Sequence, residues 1–345
     1  MVLGEMRKIF AIILAAALLF AGCSRDDAEE VAITLAAQSA SVSTRAVDDN
    51  IVQDALFDLG EQIDVFVTDL MGEITYAQPQ VYTVNGEMAV GSVTGSSMET
   101  NPVQFYPRGS ISIKAYYPQG VAGTTTTGVT TFDVASDQSA VAGYKASDLM
   151  AASVPSQAPT SRNVNLPFSH KLARLVVYLE TMNGFTQSDV VSIKLAAKRK
   201  VDFNKGNFST TLTASGNDIE DVTIAGAGSR MGVCIVPPQT LEATVGTPQS
   251  IVKIELGSGT VLYYRNTAPL QLVEGNTYLL RLNCSSALIT GYTTSTASWV
   301  DASSGEELLG ELLKLIEGSP ASPTITPFTD GTGTSAGIGW GAEYD

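Results

Sequence analysis

Asn165-Leu-Pro-Phe-Ser-His-Lys-Leu-Ala-Arg-Leu-Val-Val-Tyr-Leu-Glu180 is the stretch on which the fold turns. From Ala173 it alternates: Ala173, Leu175, Val177 and Leu179 share one face, and Arg174, Val176, Tyr178 and Glu180 share the other. Period two with β-branched and aromatic residues is the pattern of a half-buried strand. Just upstream, Ser153 to Ser161 is polar and carries Pro155 and Pro159, the composition of a linker or long loop. The strand is therefore expected to open a second domain near residue 161. It also carries the one histidine of the chain, His170.

Further strand-like runs lie on both sides. Downstream are Val190–Ala196, Phe208–Thr213, Asp221–Ala225, Met231–Val236, Ile251–Leu256, Val261–Arg265 and Tyr278–Asn283, with turns at Gly206-Asn207, Gly216-Asn217, Gly257-Ser-Gly259 and Gly275-Asn276. Upstream are Val31–Leu35, Gln62–Thr68, Val81–Val84, Val103–Tyr106, Ile111–Tyr117 and Thr131–Val134, with turns at Asn85-Gly86, Arg108-Gly109 and Gln119-Gly120. Short strands at regular spacing indicate an all-β protein of two β-sandwich domains, over residues 46–160 and 161–301. The length of 345 residues fits two units, each able to bury a core.

The tail, 302–345, differs. Leu308, Leu309, Leu312, Leu313 and Ile316 recur at helical spacing within 306–317, Ser303 and Glu306 stand in capping-box register, and Gly318 is a stop. Beyond it, Thr324–Phe328 and Ile338–Trp340 are extended patches in a Gly/Thr/Ser-rich strip of flexible composition.

At the other end, Arg7-Lys8 precedes 12 apolar residues, Ile9 to Phe20. That is a basic n-region and an h-region, too short to span a bilayer, which takes about 20 residues. The run closes on Leu19-Phe-Ala-Gly-Cys23, which resembles a bacterial lipobox, so residues 1–22 read as a lipoprotein signal peptide and Cys23 as the acylated residue. The acidic stretch after it, Ser24 to Glu30, reads as a solvated tether and resembles a surface-export tag.

Charge narrows the partners. The formal net charge is −15, and removing residues 1–22, with Arg7, Lys8 and Glu5, leaves −16. Such a chain repels nucleic acid, and the lone basic cluster, Lys198-Arg-Lys200, reads as a solvated strand end. No nucleophile elbow, Walker loop, His-Glu-x-x-His, Cys-x-x-Cys or EF-hand loop is present, so no catalytic residue, metal ligand or cofactor is assigned. A lone His170 without a nucleophile or second imidazole nearby reads as a structural histidine at a strand entrance. Besides Cys23 there are Cys234 and Cys284, both in strand-like runs; they read as buried thiols, with a disulfide the alternative.

Several pieces together carry a resemblance. Leu166-Pro-Phe-Ser-His-Lys-Leu-Ala-Arg-Leu175, Ser147-Asp-Leu-Met-Ala-Ala152 before it, then Val236-Pro-Pro-Gln-Thr-Leu241, Val273-Glu-Gly-Asn-Thr-Tyr278 and Ala297-Ser-Trp299 follow the order seen in the fimbrillin-like proteins of Bacteroidetes, the pilins of surface fimbriae. The resemblance spans about Glu30 to Asp301. It implies two transthyretin-like Greek-key β-sandwiches, a structural and adhesive role without enzymatic activity, and export as an outer-membrane lipoprotein precursor that ends in an extracellular fimbrium. It further implies an Arg-specific maturation protease cutting between Arg45 and Ala46, within Thr44-Arg45-Ala46, with Arg25 and Arg162 as competing sites. Segment 23–45 would leave together with its removable strand, in which Val31, Ile33 and Leu35 share one phase. Other pilin subunits would then join head to tail, each donating a C-terminal strand: Ala287–Tyr292, Thr324–Phe328 or Gly337–Tyr344, the tail being favoured. The alternative from another class is a monomeric surface lipoprotein that binds glycans, which calls for a concave face with exposed aromatics.

Overall fold

The computed structural model describes residues 31–39, 57–69, 79–90, 93–107, 109–125, 127–205, 212–242, 251–266, 268–285, 289–298, 325–329 and 336–340. Among them the chain is nearly all β. Seven strands close into a barrel in the order β1 (Leu35–Ser39), β4 (Val93–Glu99), β3 (Gln80–Val90), β2 (Gln62–Asp69), β5 (Ile111–Tyr117), β7 (Met150–Gln157) and β8 (Val164–His170). The first sandwich expected from the sequence is thus a ladder joined into a ring. The alternation of the sequence aims its inward phase: Ile111, Ile113 and Ala115 of β5, Ile63, Val65 and Val67 of β2, and Val164, Leu166 and Phe168 of β8 are buried together.

Two expectations are corrected here. The polar, proline-bearing stretch 153–161 is not a linker: most of it is β7, and only the turn beyond Gln157 leads into β8. And the strand carrying His170 does not open the second unit, because β8 pairs with β7 and with β1. The second unit begins with Ala173, after a break at Lys171-Leu172.

That unit is a sandwich of two four-stranded sheets. One runs β12 (Glu220–Ala225), β10 (Val190–Ala197), β15 (Val252–Leu256), β16 (Val261–Tyr264). The other runs β13 (Met231–Val236), β9 (Ala173–Asn183), β18 (Asn276–Ser285), β19 (Ile289–Ser298), with β9 and β18 parallel. Leu175, Val177 and Leu179 of β9 face Ile193, Leu195, Val252 and Ile254 across the core. The approach at one edge is close: a Cβ on Gly232 of β13 would lie 2.6 Å from Ile224 Cγ1 of β12.

β9 also departs from the half-buried pattern. Ala173 to Tyr178 are all buried on both phases, and even Arg174 is only 8% exposed. A further apolar layer explains it: Val176 and Tyr178, with Val233, Ile235 and Leu279, pack against Phe66 and Tyr116 on the outer wall of the barrel and against Phe132, Val201 and Phe203. The last three belong to a two-stranded ribbon of β6 (Val129–Asp133) and β11 (Lys200–Asn204), one strand from each half of the chain. Tyr116 Oη donates to the Lys205 carbonyl at 2.6 Å across the same seam. Arg174 is tolerated there because its Nε donates to Thr277 Oγ1 at 3.0 Å.

The remaining elements are small. A short helix, α1 (Val141–Ala146), precedes β7, and β14 (Gln239–Leu241) pairs with β17 (Leu270–Leu272). In the tail, β20 (Ile325–Thr329) pairs antiparallel with β21 (Ala336–Trp340), Ile325 opposite Trp340. The helix expected at 306–317 lies outside the described residues.

Candidate functional site

The N-terminal segment occupies a slot in the barrel wall. Ile33, Leu35 and Ala37 alternate inward at 3%, 1% and 0% exposure, in the core with Ile63, Tyr82, Met98, Leu166 and Phe168. Leu35 and Ala37 stand opposite Met98 and Ser96 of β4 on one side, and opposite Val164 and Leu166 of β8 on the other. Before the strand proper, the Ile33 N–H donates to the Gln104 carbonyl at 2.8 Å, the Tyr106 N–H to Val31 at 2.9 Å, and the Val164 N–H to Thr34 at 2.8 Å. The strand expected at Val103–Tyr106 is only this contact, a single bridge between Phe105 and Ala32. The apolar phase foreseen as Val31, Ile33 and Leu35 therefore extends to Ala37, with Val31 half-buried at the mouth.

Phe57 closes the far end of the slot. Its ring packs edge-on against Phe168 at 5.1 Å and Tyr117 at 5.3 Å. Its backbone is pinned twice to one hydroxyl, the N–H donating to Ser96 Oγ at 2.8 Å and the carbonyl accepting from it at 3.2 Å. At the mouth, three buried polar atoms have no hydrogen-bond partner: Thr34 Oγ1, Gln104 Oε1 and Tyr106 Oη.

Below Phe57 lies a charged belt. Tyr117 Oη donates to Glu61 Oε1 at 2.9 Å, Glu61 Oε2 accepts from the Asp58 N–H at 2.9 Å, and Lys145 pairs with Asp58 and, at 3.4 Å, with Glu61. Burial raises the Glu61 pKa above the ordinary carboxylate value, against the lowering effect of the Tyr117 hydrogen bond. Asp64 is raised for the same reason, despite donors from the Gly120 N–H and Gln119. His170 Nδ1 lies 2.8 Å from Asp148 Oδ1, and both side chains are wholly buried. That is the structural histidine read from the sequence, with a partner 22 residues upstream.

Cys234 and Cys284 sit in the second core as free, buried thiols, the pKa of each pushed up to about 12 by burial. Of the candidate donor segments, Ile289–Tyr292 is already committed, hydrogen-bonded into the second unit as the start of β19. Cys23, Arg45 and Ala46 lie outside the described residues. A cleft of about 550 Å³ in the second unit is lined by Lys198, Ile219, Asp221, Gln239, Tyr263 and Arg265 among others. Among the described residues there is no cluster of potential metal ligands and no helix long and apolar enough to cross a membrane.

Comparison with solved structures places the fold. A candidate cell adhesion protein of Bacteroides ovatus superposes with a TM-score of 0.58 at 15% identity, covering 79% of this chain and 99% of the other. One from Bacteroides uniformis gives 0.56 at 18% identity, covering 80% and 100%. No curated protein matches the chain significantly. The family model described as fimbrillin-like matches residues 44–299, from just ahead of Arg45 to the tryptophan segment. The chain belongs to the fimbrillin-like family.

Proposed function

We propose that this chain is a fimbrial subunit of two transthyretin-like β units, exported as a lipoprotein and polymerised by strand exchange. In this reading Cys23 carries the lipid, an Arg-specific protease cuts between Arg45 and Ala46, and the lost strand is replaced by one from a neighbouring subunit. One observation carries it: a complete strand of the barrel, β1, lies on the N-terminal side of Arg45. A single cut would sever the lipid tether and open the barrel between β4 and β8. Two unpaired ladder edges and an apolar slot then favour addition of an extended strand. Family membership and the likeness to adhesion proteins support the same reading. A role in adhesion and residence first in the outer membrane, then in an extracellular fimbrium, follow from it.

The tail is the favoured donor. Ala287–Tyr292 falls away because β19 belongs to the second sandwich. Thr324–Phe328 contains Pro327, which lacks a ladder donor. β21 remains, held by β20 in a two-stranded hairpin, which is marginal in isolation and opens cheaply. The alternative, a monomeric glycan-binding lipoprotein, rests on the cleft of the second unit, where Tyr263 is the one aromatic among the described residues of the lining.

The reading is tested by treating purified precursor with an Arg-specific protease and following oligomers by size-exclusion chromatography. Polymer should appear after cleavage, and N-terminal sequencing of its subunits should read Ala46-Val47-Asp48. A different first residue refutes the assigned site. Metabolic fatty-acid labelling should mark the wild type and spare Cys23→Ala.

A further inference from the structure

The slot filled by β1 is not uniform along its length. Toward the mouth it takes two large side chains, Ile33 and Leu35; toward the closed end it takes Ala36 and Ala37, at 1% and 0% exposure on opposite faces. At Ala37 the narrowing has an identifiable cause. Ala37 stands opposite Ser96, and Ser96 Oγ holds both backbone groups of Phe57. The Phe57 ring in turn rests on Phe168, which is the ladder partner of Ser39. Ala37 and Phe57 share one filled core, so a side chain larger than methyl at position 37 would press on a ring held by Ser96, Phe168 and Tyr117, and filled cores resist added carbons.

We propose that Phe57, fixed by Ser96, is a size filter that selects which strand can complete the barrel. The accepted sequence is large-x-large-small-small, its small pair seated against the Phe57 end. The filter presupposes the strand exchange proposed above and names its partner: a second copy of this chain offering Ala336-Gly-Ile-Gly-Trp-Gly-Ala342. Ile338 and Trp340 supply the two large residues. Gly337-Ala336 supplies the small pair when the strand runs so that Trp340 takes the place of Ile33 at the mouth, beside half-buried Val31, and Ile338 that of Leu35; the opposite direction would press Trp340 into the 1%-exposed Leu35 site, which the same packing argument rejects. In this direction Gly339 takes the place of Thr34, whose buried hydroxyl has no partner. Exchange therefore removes an unsatisfied polar atom that the resident strand keeps buried. Ile325-Thr-Pro-Phe-Thr329 has no small pair after its large residues and does not fit.

The test is incorporation of labelled synthetic peptides into the Arg-protease-cleaved protein. A peptide copying residues 31–39 and one copying 334–344 should both enter. Their counterparts with Ala37→Leu, or with Ala336→Leu, should enter about tenfold less or worse, the scale expected for forcing extra carbons into a packed site. In the Phe57→Ala subunit the Ala37→Leu peptide should enter as readily as the parent; Phe57→Leu, a milder cut, should restore part of the entry if Phe57→Ala does not fold. Equal entry of parent and Leu peptides into the wild-type subunit overturns the filter while leaving strand exchange standing. Failure of even the 31–39 copy to enter overturns strand exchange itself, and the filter with it.

Discussion

Asp148 and His170 show how a polar pair survives in a β core. They meet at 2.8 Å with no exposed side-chain surface, while Asp148 Oδ2 is buried without a hydrogen-bond partner, so removing one residue costs the other this hydrogen bond in a dry site. Asp148→Ala should therefore cost about 3–5 kcal/mol, the loss seen when one member of a buried pair is deleted. Urea unfolding of the two proteins measures it; a loss below about 1 kcal/mol would show the pair to be dispensable. Glu61 behaves differently, because burial raises its pKa. The folded state then holds the Glu61 proton more tightly than the unfolded chain does. Linkage makes its contribution fall as pH rises from the ordinary carboxylate value of 4.5 through the raised folded value. Glu61→Gln cannot ionise, so its melting temperature relative to wild type should climb across that window and level off above it. A flat difference from pH 4 to 7 would place the cost elsewhere. At this scale the sequence was partly legible. The bland reading of His170 followed from the lack of a nucleophile near it, and the reading of Cys234 and Cys284 as buried thiols followed from the strand-like runs that hold them. Asp148 stood in a quoted motif, but nothing local tells that β7 and β8 will pair and bring it to His170.

Strands disclose their periodicity but not what covers their second face. The outward phase of β9, Val176 and Tyr178, looked half-exposed by alternation and is buried because the barrel wall and the β6–β11 ribbon press on it. Likewise β7 read as a linker from Pro155 and Pro159, whereas its pairing with β5 along Ile113–Tyr117 makes it barrel wall. The polar β4, with Gly95, Ser96 and Ser97, gave no apolar signal, though it forms one side of the slot. β1 was legible in part: the apolar alternation of Val31, Ile33 and Leu35 was visible, but the paired strand is Leu35–Ser39, and the residues ahead of it make one bridge and single hydrogen bonds. Leu35 is 1% exposed within it, so Leu35→Ala should destabilise the precursor by about 2–5 kcal/mol, transfer and cavity terms together. The same substitution should speed release of segment 23–45 after cleavage, read as faster polymer growth. A precursor as stable as wild type would mean that β1 contributes no core packing.

If cleavage removes β1, as proposed, a barrel short of one strand and a tail carrying a spare one make a two-ended molecule. The slot lies in the N-terminal unit between β4 and β8, and the tail hairpin lies beyond the second sandwich. Under the proposed exchange donor and acceptor are different surfaces, so the contact would be head-to-tail, would not close on itself, and would build filaments rather than dimers. Deleting one end should therefore leave a subunit that can stop a chain but not extend it. Truncation after Asp301 removes β20 and β21 and leaves every strand of both units in place. The truncated protein should fold with a melting temperature close to that of the full chain and, once cleaved, remain monomeric at concentrations where the full chain polymerises. Mixed with cleaved full-length protein, it should accept a donor and offer none, capping filaments so that mean length falls as its mole fraction rises. Electron microscopy of such mixtures reads the length directly. Long polymers from the cleaved truncate alone would remove the tail as donor and leave the barrel slot to be filled from elsewhere.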